Sequence, residues 1–197
     1  AKKDLLARSI KAMYKLISIF KEVKPQFLTG MHLFEHTILP ILLYGAEIWG
    51  DNCLSTTKNM YDSLLKDIIE QCHLRFLRYS LGLNRRTTKL GIYGETGRYP
   101  VGISATKSFI KYWHRVSNIS QENKLLYNAY EENVKNESVW FTKVKQMLDG
   151  MNMSKHQAMN MNGKHLAKML QNSLQNKFEV GLKSELFNDE RMKGYGN

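Results

Sequence analysis

Cysteine is almost missing from this chain: only Cys53 and Cys72 occur, with neither CxxC spacing nor a histidine pair beside them. That pattern excludes a disulfide framework and a zinc finger, and it fits free thiols in a reducing compartment. Long apolar runs are missing too. The most apolar stretch, ILPILLYGAEIW from Ile38 to Trp49, is about a dozen residues, short of the ~20 that a bilayer span needs. No charged-then-apolar leader precedes a cleavage site, so the expectation is a cytoplasmic and/or nuclear protein with no membrane partner. Clustered carboxylates are also lacking, since residues 1–120 hold no DD, DxD or ExD. Metal-dependent polymerases and nucleases need such clusters. Two-metal catalysis, a bound metal and a cofactor are therefore not expected. Nothing alternates with period two, and no internal repeat appears.

Apolar residues at helical spacing fill the space that strands leave. Leu6, Ile10, Met13, Ile17 and Phe20 predict an amphipathic helix over 4–20. After Pro25, residues 27–49 are aliphatic nearly all round, which predicts a helix buried on most sides and kinked or divided by Pro40. A polar connector, 51–59, leads to a helix from Asp62 or Ser63 to about Leu81, ended by Gly82. A short helix over 88–96 stops at Gly97, and Pro100 sits in the first turn of a longer one reaching Val116. Helical patterns return at 122–134, 138–148 and 163–187, the last carrying Leu166, Met169, Leu170, Leu174, Phe178, Leu182 and Leu186. The fold class is all-α, an irregular bundle of about seven helices with a long C-terminal helix. Residues 1–120 form a basic helical domain, and 121–197 an Asn/Met-rich extension.

Charge is lopsided in sign and in place. The chain carries 29 Lys plus Arg against 18 Asp plus Glu, net +11. Residues 73–115 hold nine of the bases (Arg75, Arg78, Arg85, Arg86, Lys89, Arg98, Lys107, Lys111 and Arg115) against one acid, Glu95. A solvated structural face usually mixes signs, so this concentration points to a polyanion, and its interleaved aromatics point to nucleic acid. Arg85 and Arg86 follow a helix end, where a turn aims both at a phosphate track. Lys107, Lys111 and Arg115 recur every four residues and so share one face. Phe76, Tyr93 and Trp113 read as core, leaving Tyr79 and Tyr99 as candidates for base stacking.

Other constellations carry less. Glu47, inside the apolar run, reads as a buried carboxylate paired with a lysine or a backbone amide. An enzyme built on Glu47 and a neighbouring histidine would need a concave pocket holding both, which is not expected. His32 and His36 have the spacing of two ligands on one helical face, but HLFEH lacks the HExxH order and no third ligand is apparent. The glycines of GIYGETGRYP match neither the GxxxxGK[ST] nor the GxGxxG order and read as helix ends.

Three segments, LFEHTILPILLYGAEIWG (33–50), HLRFLRYSLGLNRRTTKLGIYGETGRYP (73–100) and KSFIKYWHRV (107–116), resemble in order and spacing the region downstream of the polymerase palm in non-LTR retrotransposon reverse transcriptases. AKKDLLARSIKAMYKL resembles the start of the thumb, while SVWFTKVKQMLDG and ELFNDERMKGYGN are more loosely similar to the downstream linker. The resemblance implies a thumb-like unit that grips RNA or an RNA/DNA duplex beside a palm domain. The family's catalytic [FY]xDD motif belongs upstream and does not occur here, and such reading frames usually continue past a point equivalent to Asn197. The expectation is a non-catalytic fragment or relic of a retroelement polyprotein, with a stand-alone helical protein-binding scaffold as the alternative.

Overall fold

A computed structural model describes residues 2–53, 60–120 and 122–188. Most of the connector expected over 51–59 lies outside the described residues, as does the side chain of Cys53. Among the described residues there are helices and no strands, and no helix is long and apolar enough to cross a membrane.

Helix α1, Lys2–Val23, buries Leu5, Leu6, Ser9, Met13, Ile17 and Phe20 along one stripe. The following apolar segment divides into α2 (Phe27–Thr37), α3 (Leu39–Leu42) and α4 (Ala46–Trp49), then a 3-10 turn over Gly50–Cys53. Pro40 stands in the first turn of α3, and Gly45 adopts φ +68° ahead of α4, so the backbone changes direction at both points. The expectation of a helix buried on most sides is corrected here. Short helices turn their outer faces to solvent, and Leu28, Tyr44 and Ile48 are 66%, 77% and 75% exposed.

The helix expected over 62–81 is likewise two, α5 (Met60–Lys66) and α6 (Glu70–Ser80). Asp67 breaks it: its Oδ1 accepts from the Ile69 N–H at 3.0 Å, an alternative to the helical ladder. Helix α6 ends as its glycine predicts. Gly82, at φ +65°, donates to the Tyr79 carbonyl at 3.1 Å, and Leu83 donates to that of Arg78 at 2.8 Å, the paired bonds of a Schellman cap. Helix α7 (Lys89–Thr96) starts at Thr88, whose Oγ1 accepts from Gly91 N–H, and stops at Gly97, at φ +58°. Pro100 caps α8 (Val101–Ser117), one residue before the helix rather than inside its first turn.

Helix α8 is the centre of the molecule. It buries Val101, Gly102, Ile103, Ala105, Thr106, Phe109, Ile110, Trp113 and Val116. On one side the α4 region comes so close that a Cβ added at Gly50 would lie 2.3 Å from the Ala105 carbonyl oxygen. Thr106 Oγ1 donates to the Gly50 carbonyl at 3.1 Å, which satisfies a group buried by that approach. The chain then runs through α9 (Lys124–Lys135), α10 (Val139–Asp149) and α11 (Lys155–Asn160). Helix α12, Gly163–Asn188, returns along α8 and carries Leu166, Leu170, Leu174 and Phe178 into the same core as α1 and α6. Helix α11 was not expected, although Ser154 and Gln157 form the capping box that S-x-x-Q spells. The helices outnumber the expected set because two segments divide and α11 is added.

Gly50→Ala forces a methyl group into backbone that cannot give way, at a cost of about 1–3 kcal/mol, so thermal denaturation should show a melting temperature lower by roughly 3–10 °C. Gly94→Ala, with nothing within 4 Å of the new Cβ, should leave the melting temperature unchanged or slightly higher.

Candidate nucleic-acid interface

The basic segment is held from below by one buried carboxylate. Glu70, in the first turn of α6, is fully buried. Its Oε1 accepts from the Tyr93 hydroxyl of α7 and from His73 Nδ1 at 2.7 Å, while Oε2 accepts from the Val101 N–H at 2.7 Å. Val101 opens α8, so the carboxylate also meets the partial positive end of that helix. Burial, and next the Glu70 charge, push the Tyr93 phenol well above its ordinary pKa, which keeps it a hydrogen-bond donor. Cys72, beside this network, is a buried free thiol raised to about 12 by burial, with Arg75 opposing. Glu70 was missed at the sequence level. An isolated glutamate at a helix start has no distinguishing pattern; only the docking of α7 and α8 reveals its role.

The nine bases divide sharply by environment. Arg75, on the outer face of α6, and Arg85 and Arg86, in the turn after Gly82, are exposed. That turn is shaped by Asn84, whose Oδ1 accepts from Arg86 N–H at 3.1 Å. Arg78 reaches under it: Nη2 donates to the Thr87 carbonyl at 3.2 Å, and burial lowers its pKa. Lys89 donates to the Leu65 carbonyl at 2.7 Å and thereby caps the end of α5. Arg98 is ion-paired with Glu35 of α2. On α8, Lys107 is half-buried while Lys111 and Arg115 are exposed, and Arg115 lies over the Tyr112 ring at 5.1 Å. Among the described residues no carboxylate pairs with Arg75, Arg85, Arg86, Lys107, Lys111 or Arg115.

The two stacking candidates differ in the same way. Tyr79 is 37% exposed near the pivot of α1 and α2, its hydroxyl 3.4 Å from the Ile17 carbonyl. Tyr99 donates to Glu179 of α12, and its ring meets Phe178 edge-on at 6.3 Å, so its aromatic surface is engaged within the fold. Phe76, Tyr93 and Trp113 are core residues.

Two expectations about acids and histidines change. Glu47 is exposed on α4, because that helix is too short to bury both faces. Contrary to the expectation that no pocket holds Glu47 with a histidine, it shares a cavity of about 530 Å³ with His114, Lys111, Arg115 and Lys164, formed because α4 and the start of α12 both lie against α8. His114 is not free there: its Nε2 donates to the Met161 carbonyl at 2.8 Å, and Nδ1 abuts Gly163. His32 and His36 stack at 5.4 Å, and His36 Nδ1 donates to the His32 carbonyl at 2.7 Å. Glu35 turns from them to Arg98.

No protein-family model, curated protein or solved structure matches the chain.

Removing Glu70 leaves buried donors from three elements without an acceptor, so Glu70→Ala should destabilise the fold by about 3–5 kcal/mol in chemical denaturation. Alkali should have a related effect. The folded Cys72 thiol titrates near 12 against an ordinary 9.0, and the Tyr93 phenol is shifted in the same direction. Above those ordinary values only the unfolded chain gives up these protons, so stability present below pH 9 should drain away between pH 9 and 12. Tyr93→Phe should make that decline shallower in denaturation midpoints taken against pH.

Proposed function

We propose that the chain is a non-catalytic, nucleic-acid-binding part of a retroelement reverse transcriptase, which grips RNA or an RNA/DNA duplex through its basic helical face. The observation that carries this reading is Arg75, midway along the outer face of α6, with Arg85 and Arg86 in the turn after that helix, all exposed and without an acid partner among the described residues. An unpaired guanidinium stays available for phosphate oxygens, and such contacts position a duplex without reading its bases. The three segments that resemble the region after the palm, at 33–50, 73–100 and 107–116, contribute the second half of α2 with α3 and α4, most of α6 with its turn and α7, and the C-terminal part of α8. A palm domain is the proposed protein partner. Exposed apolar residues where α1 passes to α2, namely Ile19, Val23 and Leu28, supply a surface for it. The same residues would serve the stand-alone scaffold that is the alternative, and polynucleotide binding separates the two.

If about four to six unpaired cations engage a duplex, log affinity should fall against log salt with a slope of about −4 to −5. Arg85→Ala with Arg86→Ala should flatten that slope by nearly two and weaken different sequences about equally. Lys143→Ala with Lys145→Ala should change little, because Lys143 is paired with Asp51 and Lys145 with Glu137. Salt-insensitive binding, or equal effects from the two pairs, would sink the reading. Primer extension with Mg²⁺ should yield no product; product abolished by chelation would contradict the non-catalytic assignment.

A further inference from the structure

Lys111 and Arg115 face a different setting from the arginines of the α6 turn. They line the cavity of about 530 Å³ between α4, α8 and the start of α12, where Lys164 joins them from a distant part of the chain. That volume lies within the ~300–1,000 Å³ typical of small-molecule sites. Three cations and one carboxylate, Glu47, face the space, and no acid pairs with any of the three cations among the described residues. Three like charges set against a single carboxylate leave an excess of positive charge, which makes the cavity a receptor for a compact anion.

The gathering is built rather than incidental. His114 Nε2 donates to the Met161 carbonyl at 2.8 Å and pins the strand of chain entering α12 onto α8. The next contact demands glycine: a Cβ at Gly163 would lie 2.5 Å from His114 Nδ1. Together they deliver Lys164 to the mouth of the cavity. Arg115 is steadied by the Tyr112 ring at 5.1 Å, which limits the freedom its guanidinium loses on binding. The end of α12 contributes no open donors at these positions, since Asn162 Oδ1 already accepts from the N–H groups of Lys164 and His165. Any anion would be held by the side chains.

We infer that this cavity binds a phosphomonoester whose carbon skeleton bears hydroxyl groups. A monoester carries about −1.5 to −2 charges at pH 7, which matches three cations less one carboxylate better than the single charge of a diester. Glu47 and Ser108, also in the lining, suit the remainder of such a ligand, because a carboxylate accepts from a sugar hydroxyl whereas it repels a second phosphate. The chemistry is shared by a free sugar or nucleoside phosphate and by the 5′-phosphorylated end of a nucleic acid. The site does not depend on the duplex-gripping reading, which rests on Arg75, Arg85 and Arg86.

Calorimetric titration of the full chain with adenosine 5′-monophosphate against adenosine, and with a 5′-phosphorylated oligonucleotide against its 5′-hydroxyl twin, tests the assignment. In at least one pair the phosphorylated member should bind at least tenfold tighter. The mononucleotide pair responding identifies a free metabolite, and the oligonucleotide pair responding identifies a nucleic-acid end. Lys111→Ala with Lys164→Ala, both exposed positions, should abolish that advantage, whereas Arg85→Ala with Arg86→Ala should leave it intact even where duplex affinity falls. Gly163→Ala, which displaces the His114 ring, should reduce it as well. No phosphate-dependent advantage in either pair, or an advantage that survives the double lysine variant, would overturn the proposal.

Discussion

The Glu70 carboxylate accepts hydrogen bonds from its own helix, from α7 and from the first N–H of α8, all out of contact with water. A charge in such a place is costly unless its oxygens are satisfied, and moving any one element would strand the others. The relative positions of α6, α7 and α8 follow from that constraint. These helices carry the whole basic segment, so the spacing of its cations on the surface is set by one acid beneath them.

Close backbone contact supplies the second constraint. Gly50 against the Ala105 backbone and Gly163 against the His114 ring are places where another side chain would collide, and at Gly181 a Cβ would press on the Tyr61 ring at 3.1 Å. The first two seat neighbours on α8 and the third seats α12 beside α5. Around Phe178 the rings of Tyr61, Tyr93 and Tyr99 gather at 5.1, 5.4 and 6.3 Å. The C-terminal helix is thus locked to the segment that carries the bases, and the basic and Asn/Met-rich halves share one core.

The packing divides the bases of the 73–115 segment into two sets. Arg78, Lys89 and Arg98 serve the fold, binding a turn, a helix end and a neighbouring helix. Of the nine bases in 73–115, those without such duties lie on α6 and its turn and along α8, and Lys164 of α12 joins the latter at the cavity. A cation held by a carbonyl or carboxylate has little to gain from a phosphate, while an unpaired one retains its full attraction.

Periodicity and composition alone determined that the chain is helical, which stripes of α1 and α12 face inward, where Gly82 and Gly97 end their helices, and that positive charge concentrates between residues 73 and 115. Those properties are local: a helix repeats every 3.6 residues, and a cap involves its nearest neighbours. Only the tertiary structure decided which bases are free, that Glu70 is the hub, and that Glu47, Lys111 and Lys164 share one cavity. Arg98 meets a glutamate 63 positions away and Lys89 a carbonyl 24 away. Pairing at such separations depends on how helices dock, and a helix face does not encode its partner in its own spacing.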